Sequence, residues 1–150
     1  MSVAKVLVIH GPNLNLLGVR EPTVYGSRTL AEIDALIRQE AAALDVEVRL
    51  FQSSHEGAIV EAIHDALGWA QVIIINPAAY THTSVAIRDA LSAVGLPAIE
   101  VHLSNVQARE EFRHRSLIAP ACAGVISGFG AHGYLAAVRL ALTLVEPGDT

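Results

Sequence analysis

Val72-Ile73-Ile74-Ile75-Asn76-Pro77-Ala78-Ala79-Tyr80-Thr81-His82-Thr83-Ser84 decides how this chain reads. Four consecutive β-branched aliphatics are the pattern of a strand buried on both faces inside a parallel sheet. They run straight into Asn, Tyr, Thr, His and Ser. Two other apolar runs behave the same way: Val6–Ile9 leads into His10-Gly11-Pro12-Asn13-Leu14-Asn15, and Ala98–Val101 into His102-Leu103-Ser104-Asn105. Open α/β sheets bind ligands in the crevice outside the carboxyl ends of their strands. Polar residues after three such strands therefore predict one polar pocket, assembled from distant parts of the chain.

Strand and helix signals alternate five times. Thr29-Leu30-Ala31-Glu32 is a capping box that opens a helix to about Leu44, with Ile33, Leu36, Ile37 and Leu44 facing inward. Val46–Gln52 reads as a second, edge strand. Ser53 or Ser54 is expected to cap a helix carrying Ile59, Val60, Ile63 and Leu67. After Val72–Ile75 a helix starts at Thr83 or Ser84, places Ile87, Leu91 and Val94 in register, and stops at Gly95. Ala98–Val101 is the fourth strand, Ala108–His114 a short charged helix, Gly124–Ser127 the fifth strand, and Tyr134–Leu144 the last helix, with Leu135, Val138 and Leu142 apolar. This alternation gives right-handed crossovers and an α/β fold. The expectation is a doubly wound, five-stranded parallel sheet in three layers, with the flavodoxin-like order 2-1-3-4-5 and the Asn13 and Asn76 loops flanking its switch point. Residues 1–150 form one domain in this reading.

Composition narrows the function. Apolar residues make up 52% of the chain and charged residues only 17%. So little charge leaves apolar surface for other copies to cover, which predicts a homo-oligomer. No apolar run approaches a membrane span of about 18 residues. The net charge of −5, with no basic run and few aromatics, argues against nucleic acid as a partner. The first strand begins almost at the N-terminus, so no signal peptide is expected. The single Cys122 has no partner for an internal disulfide, reads as a small packing residue, and fits a reducing cytoplasm. The tail Glu146–Thr150 reads as a frayed end.

Several chemistries lack their residues. Lys5 is the only lysine and precedes the first strand's core, away from the carboxyl ends, so a Schiff base has almost no candidate. There is no GxGxxG or Walker sequence. His10 and Asn76 stand where a phosphorelay receiver would carry acids. His10, His55, His82 and His102 lie at or just after strand ends, but none makes a helical i, i+4 pair and no carboxylate groups with them, so no metal is expected. His10 and His55 are expected to cap helix ends or bond to backbone; His64, His114 and His132 read as ordinary helix or loop residues.

What remains is an acid–base set: Asn13, Arg20, Tyr25, Asn76, His82, His102 and Ser104, with Arg109 and Arg113 beyond. About eighteen residues from Gly11 to Arg28 carry no periodic signal, far more than the usual βα loop. Gly18 and Gly26 bracket a hinged flap at about residues 19–27, carrying Arg20 and Tyr25. His102 is the natural acid. Glu100, two residues earlier on the same strand face, either holds its tautomer or forms an edge-of-core ion pair. A free phenol used as a base at pH 7 costs about 4 kcal/mol. One guanidinium about 4 Å away, at an effective dielectric near 20, returns about 4 kcal/mol. Arg20 supplies that if the flap closes; otherwise Arg20 and Tyr25 are exposed loop residues.

Taken together, Gly11-Pro12-Asn13-Leu14-Asn15-Leu16-Leu17-Gly18, Arg20-Glu21-Pro22, Tyr25-Gly26, Gln52-Ser53-Ser54-His55-Glu56-Gly57, Asn76 to Ser84, Glu100-Val101-His102-Leu103-Ser104-Asn105 and Arg109-Glu110-Glu111-Phe112-Arg113 closely resemble type II 3-dehydroquinate dehydratase, in the right order over about residues 5–144. The resemblance implies a flavodoxin-like hydro-lyase, assembled as a dodecamer of trimers, that converts 3-dehydroquinate to 3-dehydroshikimate in the shikimate pathway without a cofactor. It implies Tyr25 as base, Arg20 as its electrostatic partner, Asn13 holding a water on the enolate, and His102 as acid oriented by Glu100. It assigns substrate binding to Asn76, His82, Leu103, Ser104 and Arg113. Asp89 matches a residue that reaches a neighbouring subunit's site, whereas its position alone favours a solvated helix face.

Three departures from the family pattern stand out. His10 occurs where others carry Asn, Ser54 where many have Asn, and Ala78 where Gly is common. Ala78 is expected to require a negative φ, and Ser54 to weaken a bond ordering the flap. Two other classes compete with the hydro-lyase. A flavin- or phosphate-binding module is opposed by Pro12 and two Asn in the first βα loop, where a phosphate cradle would use Ser, Thr and Gly. An inactive structural assembly has no need of Arg20, Tyr25 and His102 together.

Overall fold

Five parallel strands form a single sheet in the order β2-β1-β3-β4-β5. They are β1 (Ala4–His10), β2 (Val46–Gln52), β3 (Val72–Asn76), β4 (Ala98–His102) and β5 (Gly124–Ser127). The structure is a computed structural model and describes residues 3–145. The tail Glu146–Thr150 lies outside them. Every strand neighbour pairs in parallel, and β1 lies against β3 with His10 opposite Asn76. The expected order and the three-layer α/β architecture are those observed.

Alternation along the central strands splits the core in two. Val6, Val8, Val72, Ile74, Ile99 and Val101 face α2 (Leu30–Ala43) and α5 (His132–Val145). Leu7, Ile9, Ile73, Ile75 and Ala98 face α3 (Glu56–Asp65) and α4 (Val85–Val94). Each large aliphatic so buried contributes roughly 1.5–3 kcal/mol. Burial on both sides is why these strands read as unbroken apolar runs.

Helix ends follow local chemistry. Thr29 Oγ1 accepts from the Glu32 N–H, closing half of the capping box. Ser84 Oγ accepts from the Ile87 N–H at 2.9 Å, and Gly95, at φ 67, ends α4 in the left-handed conformation that glycine adopts freely. Three expectations fail. His55, not Ser53 or Ser54, is the N-cap of α3; the Ser53 hydroxyl instead accepts from the His55 N–H one step earlier. That helix ends at Asp65, which leaves Leu67 exposed. Residues 108–114 form no α-helix. Val106–Ala108 and Glu111–His114 are separate 3-10 turns, broken at Arg109, whose backbone is extended.

The loop after β1 is ordered in short pieces: a 3-10 turn at Leu14–Leu16 and one helical turn, α1 (Pro22–Tyr25), started by proline. Gly11 sets its exit. The Gly11 N–H donates to the Asn76 carbonyl at 2.8 Å, and a Cβ there would stand 2.6 Å from the Pro77 carbonyl oxygen. Only glycine lets the β1 and β3 exit loops touch, so it fixes Asn13 relative to Asn76.

Candidate active site

The strand exits enclose a cavity with about 530 Å³ of space between its walls, part of it open to solvent. Ten of the expected residues line it: Asn13, Arg20 and Tyr25 from the first βα loop, Asn76 and His82 from the third, and His102, Leu103, Ser104, Arg109 and Arg113 from the segment after the fourth strand. Glu100 stands behind His102. Asp89 is not among the lining residues and is exposed on α4.

His102 and Glu100 form the buried half of the site. The His102 Nε2 lies 2.6 Å from Glu100 Oε2, and both residues are buried. The Ser116 hydroxyl donates to the other carboxylate oxygen at 2.8 Å while accepting from the N–H groups of Ile118 and Ala119. Both carboxylate oxygens are thus engaged, which locks Glu100 and makes it an acceptor for Nε2–H. Among the described residues no protein group bonds Nδ1 of His102, the ring nitrogen left for a substrate. Glu100 therefore fixes the tautomer and the ring orientation, with the hydrogen on Nε2.

Tyr25 lines the same cavity. The Arg20 guanidinium lies 4.9 Å from its ring centroid and that of Arg109 lies 5.0 Å away. Sequence reasoning placed Arg109 in the neighbourhood but missed this stacking. Arg109 is well held: it donates to Ser104 Oγ at 3.3 Å and pairs with Glu21 at 3.8 Å and Glu110 at 3.7 Å. Glu110 in turn accepts from Arg113 Nε at 3.2 Å. Its own backbone N–H, then Arg113, hold this exposed carboxyl below the ordinary carboxylate range.

The remaining wall presents fixed donors and acceptors. The Arg115 carbonyl accepts from His82 Nδ1–H at 2.8 Å, which leaves Nε2 as the free acceptor. Asn13 has φ 68, a left-handed conformation that Asn tolerates. Among the described residues no backbone carbonyl accepts from the N–H of Leu103 or Ser104. The Gly130 N–H binds the Leu103 carbonyl and the Ser127 hydroxyl binds that of Ser104, so the turn is held from behind.

Three further expectations need correction. Ala78 has φ 52: it keeps the left-handed backbone, because Asn76 Oδ1 accepts from the Ala78 N–H at 3.0 Å and pulls the turn into shape. Among the described residues the Ser54 side chain makes no hydrogen bond to the flap; its carbonyl accepts from the Tyr80 hydroxyl at 2.8 Å, bracing the turn after β3 instead. His10 neither caps a helix nor bonds to backbone. It sits fully buried between the Asp34 carboxylate, 2.8 Å from Nε2, and the Tyr134 hydroxyl, 3.0 Å from Nδ1. His55 is at a helix N-cap but makes no capping bond through its side chain.

A doubly wound sheet whose carboxyl edge gathers a phenol, two guanidinium groups near its ring and a carboxylate-held imidazole around one cavity is the frame of an α/β enzyme, with groups able to move protons. Relatives agree. A protein-family model, Dehydroquinase class II, matches residues 4–142. The 3-dehydroquinate dehydratase of Nostoc sp. is 61% identical over 135 residues, covering 90% of this chain and 92% of the relative. The 3-dehydroquinate dehydratase of Desulforudis audaxviator is 56% identical over 144 residues, 96% of each chain. The crystal structure of type II dehydroquinase from Butyrivibrio crossotus superimposes with a TM-score of 0.93 at 46% identity, covering 95% of this chain and 99% of that one. This chain belongs to the class II dehydroquinase family.

Proposed function

We propose that this enzyme, a hydro-lyase of the shikimate pathway, converts 3-dehydroquinate to 3-dehydroshikimate by anti elimination through an enolate. The observation that carries the mechanism is the placement of Tyr25, with the Arg20 and Arg109 guanidinium groups near its ring, in one cavity with the Glu100-bound His102. The Tyr25 phenolate takes a proton from the carbon beside the ketone, and the electron pair moves onto the ketone oxygen. Arg20 and Arg109 stabilise the phenolate. A water held by Asn13 stabilises the enolate oxygen. As the enolate collapses, the carbon–oxygen bond to the leaving hydroxyl breaks, His102 Nδ1–H protonates that oxygen, and water departs. The new double bond is conjugated with the ketone. Tyr25 ends with one proton more and His102 with one fewer, and exchange with solvent resets both. The cycle uses protein groups and water alone, with no cofactor or metal.

The substrate carboxylate is taken by the Leu103 and Ser104 N–H groups and Arg113, since free N–H groups and guanidinium favour anions. Asn76 and His82 Nε2 take substrate hydroxyls. Asp89, exposed outside this cavity, acts on a neighbouring subunit's site within a dodecamer of trimers, consistent with exposed Val85, Val125, Phe129 and Leu140. Residues 1–150 work as one domain, residues 19–27 as its flap, in the cytoplasm. No described helix is long and apolar enough to cross a membrane.

The test adds 3-dehydroquinate to purified protein and follows the ultraviolet absorbance of the enone, with Tyr25→Phe alongside. Signal from wild type that falls at least about 100-fold in the variant is the expected outcome. A folded, inactive wild type would overturn the function, and an active Tyr25→Phe the mechanism.

A further inference from the structure

Ser116 stands outside the substrate cavity, yet its hydroxyl is joined to the acid that works inside it. It is not among the residues lining that cavity, whereas His102 is. The Ser116 oxygen lies 2.8 Å from Glu100 Oε1, and Glu100 Oε2 lies 2.6 Å from His102 Nε2. Glu100 and His102 are both buried. Three side chains thus form a continuous path, each link a hydrogen bond, that ends on a ring facing the cavity.

Proton positions along this path follow from its outer end. The Ser116 oxygen accepts from two backbone N–H groups, Ile118 at 3.1 Å and Ala119 at 2.9 Å. Backbone N–H groups can only donate, so the single hydroxyl hydrogen has one direction left, towards Glu100 Oε1. That oxygen must accept and keeps no proton of its own. Oε2 then takes the Nε2 hydrogen of His102, which leaves Nδ1 as the atom that gives a proton to substrate.

The chain holds Ser116 from both sides. The Arg115 carbonyl accepts from His82 Nδ1–H at 2.8 Å, and the Leu117 N–H donates to the Thr81 carbonyl at 2.9 Å. The residues flanking Ser116 are therefore pinned to the loop after β3, the loop that carries His82 into the cavity. Without the hydroxyl, Oε1 loses its donor in a place that water barely reaches, since Glu100 is 1% exposed. The carboxylate can then turn about its terminal torsion, which has broad wells, and Oε2 no longer holds one position against Nε2.

We infer that Ser116 is a positioning residue for His102, acting through Glu100: its hydroxyl, aimed by the Ile118 and Ala119 N–H groups, fixes the carboxylate that keeps a hydrogen on Nε2 and turns Nδ1 to the leaving hydroxyl. This rests on the proposal that His102 is the acid of the dehydration.

The experiment measures steady-state turnover of 3-dehydroquinate and thermal stability for Ser116→Ala, Ser116→Thr and Ser116→Cys, and for Ser116→Ala combined with Glu100→Gln. Ser116→Ala should lower kcat about 10-fold and leave KM within about 2-fold, because the hydroxyl supports the acid and does not touch substrate. Ser116→Thr restores a hydroxyl and should recover most of the loss. Ser116→Cys offers a weaker donor of similar size, should fall in between, and keeps the test informative if the alanine variant does not fold. In the Glu100→Gln background the alanine change should alter kcat less than about 2-fold, because the path is already cut. Four results would overturn the inference: a lower melting temperature with kcat unchanged, a rise in KM as large as the fall in kcat, a full effect that persists beside Glu100→Gln, or no recovery in either conservative variant. If the folded wild type shows no turnover, the functional proposal fails by itself. Nitrogen-15 spectra of the His102 ring then decide the positioning role. A neutral ring with its hydrogen on Nε2 in wild type, but divided between the two nitrogens in Ser116→Ala, supports it; the same ring signals in both proteins overturn it.

Discussion

His102 Nε2 and Glu100 Oε2 stand 2.6 Å apart, both buried, on alternate residues of one strand that present the same face. The strand itself sets this contact, so no loop motion is needed to form it. Glu100→Gln keeps the shape but removes the carboxylate that accepts from His102 Nε2–H. It is expected to lower kcat by about 10²-fold or more while the fold persists, measured by enone absorbance and circular dichroism. A kcat within twofold of wild type would reduce Glu100 to a structural ion pair.

Tyr25 has two cations at nearly equal distance, and they differ in how firmly they are held. Arg109 is tied to Ser104, Glu21 and Glu110, whereas Arg20 belongs to the loop itself. Arg20→Ala should lower kcat about 10–100-fold with a smaller change in KM. Arg109→Ala should lower kcat by a similar factor and also raise KM, because Ser104 loses a partner beside the carboxylate site. An unchanged kcat in Arg109→Ala would show that its approach to the ring has no electrostatic role.

The strands were legible because burial on both faces leaves an apolar signature that polar exits cannot hide. The strand-end polar residues were legible for the same reason, as in Asn76 and His102. Contacts set by tertiary path were not. His10, Asp34 and Tyr134 meet across separations of 24 and 124 residues, and nothing local marks them. Arg109 reaches Tyr25 because residues 106–114 break into two 3-10 turns, whereas the charged, helix-favouring composition of 108–114 reads as one helix.

Ala78 shows a side chain overriding a local preference. Its φ of 52 is imposed by the bond from its N–H to Asn76 Oδ1, at a strain cost of about 1 kcal/mol for a residue with a Cβ. Ala78→Gly removes that strain but adds freedom to the unfolded chain, worth roughly 0.4–1 kcal/mol. The net gain is at most about 0.6 kcal/mol, so the melting temperature should rise by up to about 2 °C with activity retained, as calorimetry and the enone assay would show. A lower melting temperature would mean that the turn holds no strain.

Cys122 gives a pH dependence with a definite sign. Burial first, and then the nearby Glu100 charge, push its thiol from 9.0 up to about 12. The folded value is raised, so the unfolded chain gives up the proton first. The stabilising contribution is complete below pH 9 and fades as pH rises from 9 towards 12. Wild type should therefore lose stability over that interval faster than Cys122→Ala, as read from urea midpoints at successive pH values. The same shift of three units leaves about a thousandfold less thiolate at pH 8 in the folded protein than in the unfolded chain. Iodoacetamide should accordingly label native Cys122 at least about a hundredfold more slowly than in urea, since the thiolate is the reactive form. Native labelling within tenfold of the unfolded rate, together with parallel pH curves for the two proteins, would show that the thiol is open to solvent and carries no such linkage.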